Sequence, residues 1–141
     1  MGRKKCPAIS VGCTAIDAEH EMQLGMLEEL QHAIAKGRRK SKIEGLLTQL
    51  ICFTMSHHQS EQLLMRLYAF PGYAAHSDEH QQLIERLKKL RRQFRNDEVI
   101  LTAAWGETVE EWLLDHIRGA DAVLGKYLCE AEPVNPMLMV N

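Results

Sequence analysis

Aromatic residues are scarce, at 6% of 141 residues, and so are proline (four) and glycine (nine). Strand-rich domains carry more turn punctuation and more β-branched residues, so the shortage points away from sandwiches and barrels and toward helices. No apolar run reaches the roughly 18 residues that a membrane span needs, so membrane insertion is not expected. A surplus of positive charge is missing as well. Seventeen Lys and Arg face nineteen Asp and Glu, for a formal net charge of -2, and such a chain has little to set against phosphates. Nucleic acid is therefore not an expected partner. The four cysteines, Cys6, Cys13, Cys52 and Cys129, contain no CxxC pair and match no zinc spacing. A reduced, cytoplasmic setting is the simplest reading, with Cys52 as a small buried apolar residue. Arg3-Lys4-Lys5 opens a stretch interrupted by Ser10, Gly12 and Thr14, too weakly apolar to be read as a cleaved signal.

What is present is a hydrophobic share of 45%, enough for one globular core, arranged with a period near 3.6. Four amphipathic stretches emerge, over residues 17–36, 41–68, 73–94 and 101–128. The first carries Ile16, His20, Leu24, Leu27, Leu30 and Ile34 in line, and the fourth carries Trp105, Val109, Trp112, His116, Ala120, Val123 and Tyr127. Gly37 supplies a C-cap with cations beside it. Ser41 and Glu44 form a capping-box pattern. Phe70-Pro71-Gly72 stops the second stretch, and Asn96-Asp97 can cap the fourth. Short connections favour antiparallel neighbours. The expected fold is all-α, an up-down-up-down four-helix bundle over residues 11–130, with tails at 1–10 and 131–141.

Polar groups interrupt the apolar stripes. His20, His57, His76, His80 and His116 fall on inward positions, as does Glu61. A lone core histidine is commonplace, but five on four helices each need hydrogen-bond partners that the stripes do not offer. A buried unpaired carboxylate costs several kcal/mol. Bound cations remove both difficulties. His57 and Glu61 stand at i and i+4, as do His76 and His80, so each pair shares a helix face and can bind one ion. Five nitrogens and the carboxylates exceed what one tetrahedral zinc uses, so two metal ions are expected. Asp121 lies five residues after His116, about 140° away on an ideal helix. A local π-type widening, eased by Gly119, would bring the two together; the spacing alone leaves Asp121 open.

In this order, Asp17-x-x-His20, His57-x-x-x-Glu61 with Met65, Gly72-Tyr73 before His76-x-x-x-His80, and Trp112-x-x-x-His116-Ile117-x-x-x-Asp121, the sequence resembles the hemerythrin family in its single-domain bacterial form. The resemblance spans roughly residues 11–128. It implies a non-haem pair of iron ions, bridged by an oxo or hydroxo group, in the bundle core. His76, His80 and His116 would hold one iron, His20 and His57 the other, and Glu61 and Asp121 would bridge them. It implies reversible dioxygen binding by a carrier, store or sensor rather than an enzyme, with Trp112, Leu113 and Ile117 lining the ligand pocket. Nitric oxide and small anions such as azide are further expected ligands. The alternative is a di-iron oxidase- or peroxidase-like, or nitric oxide-binding, protein of the same bundle class.

Two departures stand out. The family often has an aromatic-rich start where this chain has Ala8-Ile9-Ser10-Val11-Gly12, and it usually has Phe where this chain has His58. His58, one residue past His57, is expected to turn to a neighbour or to solvent and not to ligate. His32 is expected off the stripe, and Glu79 as a solvated helix residue. His76-Ser77-Asp78-Glu79-His80 also fits a zinc-peptidase pattern literally, but that reading leaves His20, His57 and His116 unexplained. A ferritin-like site would be carboxylate-rich, and a metal-free interaction module would leave the buried polar groups without partners.

Overall fold

The computed structural model describes residues 10–131, which leaves Cys6 and most of both expected tails outside the described residues. Helix α1 spans Thr14–Ala35, α2 Lys40–Leu67, α3 Tyr73–Arg95 and α4 Ala103–His116. A single π-turn, Ile117–Asp121, then joins α4 to α5, Ala122–Glu130. No strand occurs among the described residues. The α4–π–α5 rod acts as the fourth helix. Helix α1 packs on α2 and on α4, and α2 packs on α3, which gives the antiparallel bundle expected from the short connections. At about 1.5 Å per residue the 28-residue α2 is about 42 Å long. Leu24, Leu27, Leu30, Leu47, Leu50, Leu87, Val109 and Leu124 fill the core, each at most 1% exposed.

The helix ends are settled by backbone geometry. Gly37 (φ 66°) follows α1, and the Arg38 N–H reaches back to the Ala33 carbonyl while the Gly37 N–H reaches Ile34. This Schellman closure recurs after α2 with Ala69 (φ 49°) and after α3 with Asp97 (φ 59°). Two capping expectations are corrected. Helix α2 already includes Lys40 and Ser41, so its N-cap is Arg39, with no side-chain hydrogen bond, and Glu44 instead accepts from Arg95 at 2.6 Å. Asn96 and Asp97 end α3, and Thr102 caps α4 by accepting from the Trp105 N–H.

Residues 10–12, the first described, rest on α5. Asp17, in the first turn of α1, accepts from Ser10 Oγ (2.7 Å) and the Val11 N–H (2.8 Å), which folds residues 10–12 over the bundle. Val11 is buried there. A Cβ on Gly125 would lie 1.9 Å from the Val11 carbonyl oxygen, so only glycine admits this approach. Cys52 is exposed and not buried: it lies off the stripe that carries Leu47, Leu50 and Thr54 inward, and burial follows the helix face, not residue type.

The π-turn also shifts register. Past it the inward positions move on by one residue, so Asp121 and Leu124 are buried while Val123 is 62% exposed. The uninterrupted stripe through Ala120 and Val123 fails at that point, because one extra residue in a turn rotates everything beyond it.

Candidate metal centre

The lower half of the bundle collects seven buried polar side chains from all its helices. His20 comes from α1, His57 and Glu61 from α2, His76 and His80 from α3, His116 from α4 and Asp121 from the π-turn, all at most 5% exposed. They form two overlapping groups. One is Glu61, His76, His80, His116 and Asp121; the other is His20, His57, Glu61 and Asp121. Within each group one donor atom per residue lies within 4.8 Å of the others.

The two carboxylates divide their oxygens between the groups. Glu61 Oε1 is 2.9 Å from His80 Nε2 and 3.2 Å from His76 Nε2, while Glu61 Oε2 is 2.9 Å from His57 Nε2. Asp121 Oδ1 is 2.9 Å from His76 Nε2 and 3.0 Å from His116 Nε2, while Oδ2 is 2.8 Å from His20 Nε2. Without the π-turn, Asp121 would point about 140° away from His116.

The donor set fits a pair of cations. His57 Nε2, His116 Nε2, Glu61 Oε2 and Asp121 Oδ1 are buried, and none has an aligned hydrogen bond although oppositely polar atoms lie about 3 Å away. Buried polar atoms normally find partners. Atoms that crowd together without pairing are aimed at common points between them. Nitrogen and oxygen donors with no sulfur suit first-row metals of intermediate hardness.

Outer groups hold the rings. His57 Nδ1 donates to Glu19 at 2.6 Å, His116 Nδ1 to Glu79 at 2.9 Å and His80 Nδ1 to Gln62 at 3.2 Å. Such bonds fix the tautomer so that Nε2 faces the metal and raise its basicity. Sequence reasoning did not single out Glu19 or Gln62, and it read Glu79 as merely solvated. The signal was available only in part: Glu19 precedes His20 and faces the neighbouring helix, which no single-helix stripe reveals. One turn above His20 and His57, Gln23 Nε2 donates to Thr54 Oγ1 at 2.8 Å, a self-satisfied buried pair.

In the metal-free protein, burial alone would raise the carboxylates, but the close imidazoles of His20, His57, His76 and His80 hold Glu61 far below its ordinary range, and those of His116, His20 and His76 lower Asp121. Burial works to lower His20 and His76, yet bonds to Asp121 and Glu61 lift both to about 9. His57 and His116 are raised against the same burial by Glu61 and Asp121 respectively, while burial leaves His80 lowered. Cations entering the site therefore displace protons from imidazoles.

The sequence model of the hemerythrin HHE cation-binding domain matches residues 11–128. The chain belongs to this hemerythrin family. A bacteriohemerythrin of Methylococcus capsulatus is 30% identical over 112 residues, covering 79% of this chain and 85% of that protein. One from Stenotrophomonas maltophilia is 29% identical over 113 residues, covering 80% and 72%. A crystal structure of wild-type hemerythrin superposes with a TM-score of 0.83 at 25% identity, covering 91% of this chain and 98% of that one.

Within this hemerythrin bundle, Leu113 and Ile117 are 1% exposed and flank His116 in the core. Trp112 is half-buried and turns outward. With Leu83, Glu79 and His116 it lines a surface depression of about 380 Å³, with Arg86 stacked over its ring. His32 is exposed, as its position off the stripe implies. His58 does turn to a neighbour, but not to solvent. It is 4% exposed and stacks on His80, with ring centroids 3.7 Å apart and planes within 4°. Its Nδ1 has no partner, and it belongs to neither donor group. Burial, then the neighbouring His80 and His116, push its pKa down to about 2, so His58 stays neutral.

Proposed function

We propose that the protein binds dioxygen reversibly at two non-haem iron ions. His76, His80 and His116 hold one, His20 and His57 the other, and Glu61 and Asp121 span both. The observation that carries this reading is the unequal sharing: both carboxylates offer one oxygen to each group, but one group has three imidazoles and the other two. The chain thus supplies five donors on one side and four on the other, which leaves room for a small ligand on the poorer side. The iron pair, when bound, supplies two electrons to dioxygen and takes them back on release. The protein's part is to orient donors and exclude water. Glu19 and Glu79 orient His57 and His116, and the aliphatic Leu113, Ile117 and Met65 keep the surroundings dry. We place it in the cytoplasm, a reading supported by the unbridged thiols of Cys13, Cys52 and Cys129. No described helix is long and apolar enough to cross a membrane.

The test is iron quantitation on protein made with ample iron, with visible spectra recorded through cycles of oxygen and argon. Two irons per chain and a band that appears under oxygen and bleaches under argon are expected. Stoichiometric zinc without iron, or a spectrum indifferent to oxygen, overturns the proposal.

A further inference from the structure

Charge is far from evenly spread over this nearly neutral chain. The α1–α2 junction carries Lys36, Arg38, Arg39, Lys40 and Lys42, and the end of α3 brings Arg91, Arg92 and Arg95 to the same end of the bundle. Lys40 Nζ ties the two junctions side by side, donating to the Arg95 carbonyl at 2.9 Å and to Asp97 at 2.7 Å. Eight cations thus meet four acidic groups, Glu44, Asp97, Glu98 and Glu107, at this one end. The ion pairs here are Lys40–Asp97 and Arg95–Glu44. Lys36, Arg38, Arg39 and Lys42 stand exposed around one surface depression.

A second feature occupies the same end. The connection between α3 and α4 lifts Ile100 into solvent at 86% exposure, the most exposed of the large apolar side chains described. Its neighbour Leu101 is buried, so the loop is anchored and Ile100 projects from a fixed base.

We infer that this end of the bundle docks on an anionic lipid bilayer, with the cations against the headgroups and Ile100 inserted among the acyl chains. A basic collar around an aliphatic tip combines the two attractions that hold a protein on such a surface, and neither suffices alone. A polyanion such as DNA would engage the cations but has no place for an aliphatic tip, and of the aromatic residues at this end Phe94 is buried and Trp105 is partly buried against the core. The seven buried donors lie toward the opposite end, so docking leaves the metal centre uncovered.

The iron-loaded protein is sedimented with vesicles of phosphatidylcholine alone or mixed with phosphatidylglycerol, at low and high salt. Binding is expected only with phosphatidylglycerol, and salt should weaken it. Arg38→Gln with Arg39→Gln should weaken it on the order of 30-fold, and Ile100→Ser on the order of 10-fold. Lys126→Gln, at the far end, should bind like the parent, and all variants should keep the parent's iron content and melting temperature. The inference is overturned by any of three results: no binding to anionic vesicles at low salt, binding unaltered in both Arg and Ile variants, or equal weakening by Lys126→Gln. Tight binding of an oligonucleotide duplex that is sensitive to Arg38 and Arg39 but indifferent to Ile100, without vesicle binding, would assign the surface to nucleic acid instead.

Discussion

Removing Glu19 should weaken one metal ion and spare the other. The carboxylate accepts from His57 Nδ1 at 2.6 Å, and its side chain is 34% exposed. A hydrogen bond to a charged group contributes about 1.5–3 kcal/mol. Solvent reaches Glu19, so the lower figure applies, and about 1.4 kcal/mol is a factor of about ten. In Glu19→Ala the group of His20, His57, Glu61 and Asp121 should therefore lose affinity about ten-fold. The group with three imidazoles, to which Glu19 makes no bond, should be unaffected. Glu79→Ala reverses the pattern through His116, with a smaller loss because Glu79 is 51% exposed and its group has five donors. Anaerobic titration of the metal-free protein with ferrous ion resolves the two binding steps. Two unchanged constants in Glu19→Ala, or equal loss at both, would refute the argument that outer carboxylates act on separate ions.

Metal-free His58→Phe should respond less to acid than the parent. His58 is held near 2 in the fold against an ordinary 6.5, so below about 6.5 the unfolded chain takes a proton that the fold refuses. Stability then falls as pH drops, by up to about 1.4 kcal/mol per pH unit. Urea unfolding at pH 7 and pH 5 measures the slope, which should be shallower in the variant; equal slopes contradict the buried neutral ring. Gly125→Ala should destabilise by about 1–3 kcal/mol, because its methyl would meet the Val11 carbonyl. Helix propensity alone predicts the opposite sign, so a urea midpoint at or above the parent's would show that residues 10–12 do not rest there.

Six of the seven donors were legible in the sequence because each sits where an apolar residue belongs, and a period of 3.6 exposes such an exception. Asp121 was legible only through the family pattern: its position depends on a π-turn, and single-helix geometry could permit that turn but not require it. The same turn hid the burial of Leu124 and the exposure of Val123, since a stripe read without interruption keeps the wrong face. The groups behind the ligands were hardest to see. Glu19 and Gln62 act across helices, and which residue faces which neighbour depends on how the helices are rotated about their axes. His58 shows the limit from the other side. Its 100° offset from His57 left a neighbour and solvent both open, and at that depth α3 supplies the ring of His80.

The order in which the donors occur along the chain has a consequence for synthesis on the ribosome. His20, His57 and Glu61 emerge early, but Asp121, the second carboxylate shared by both groups, is among the last described residues, and Val11 finds its seat only when Gly125 has been added. Neither group can be complete before the π-turn that follows α4 has been made. Metal loading therefore waits for all four helices of the bundle: a nascent chain stalled at α3 should carry five donors and hold no intact centre.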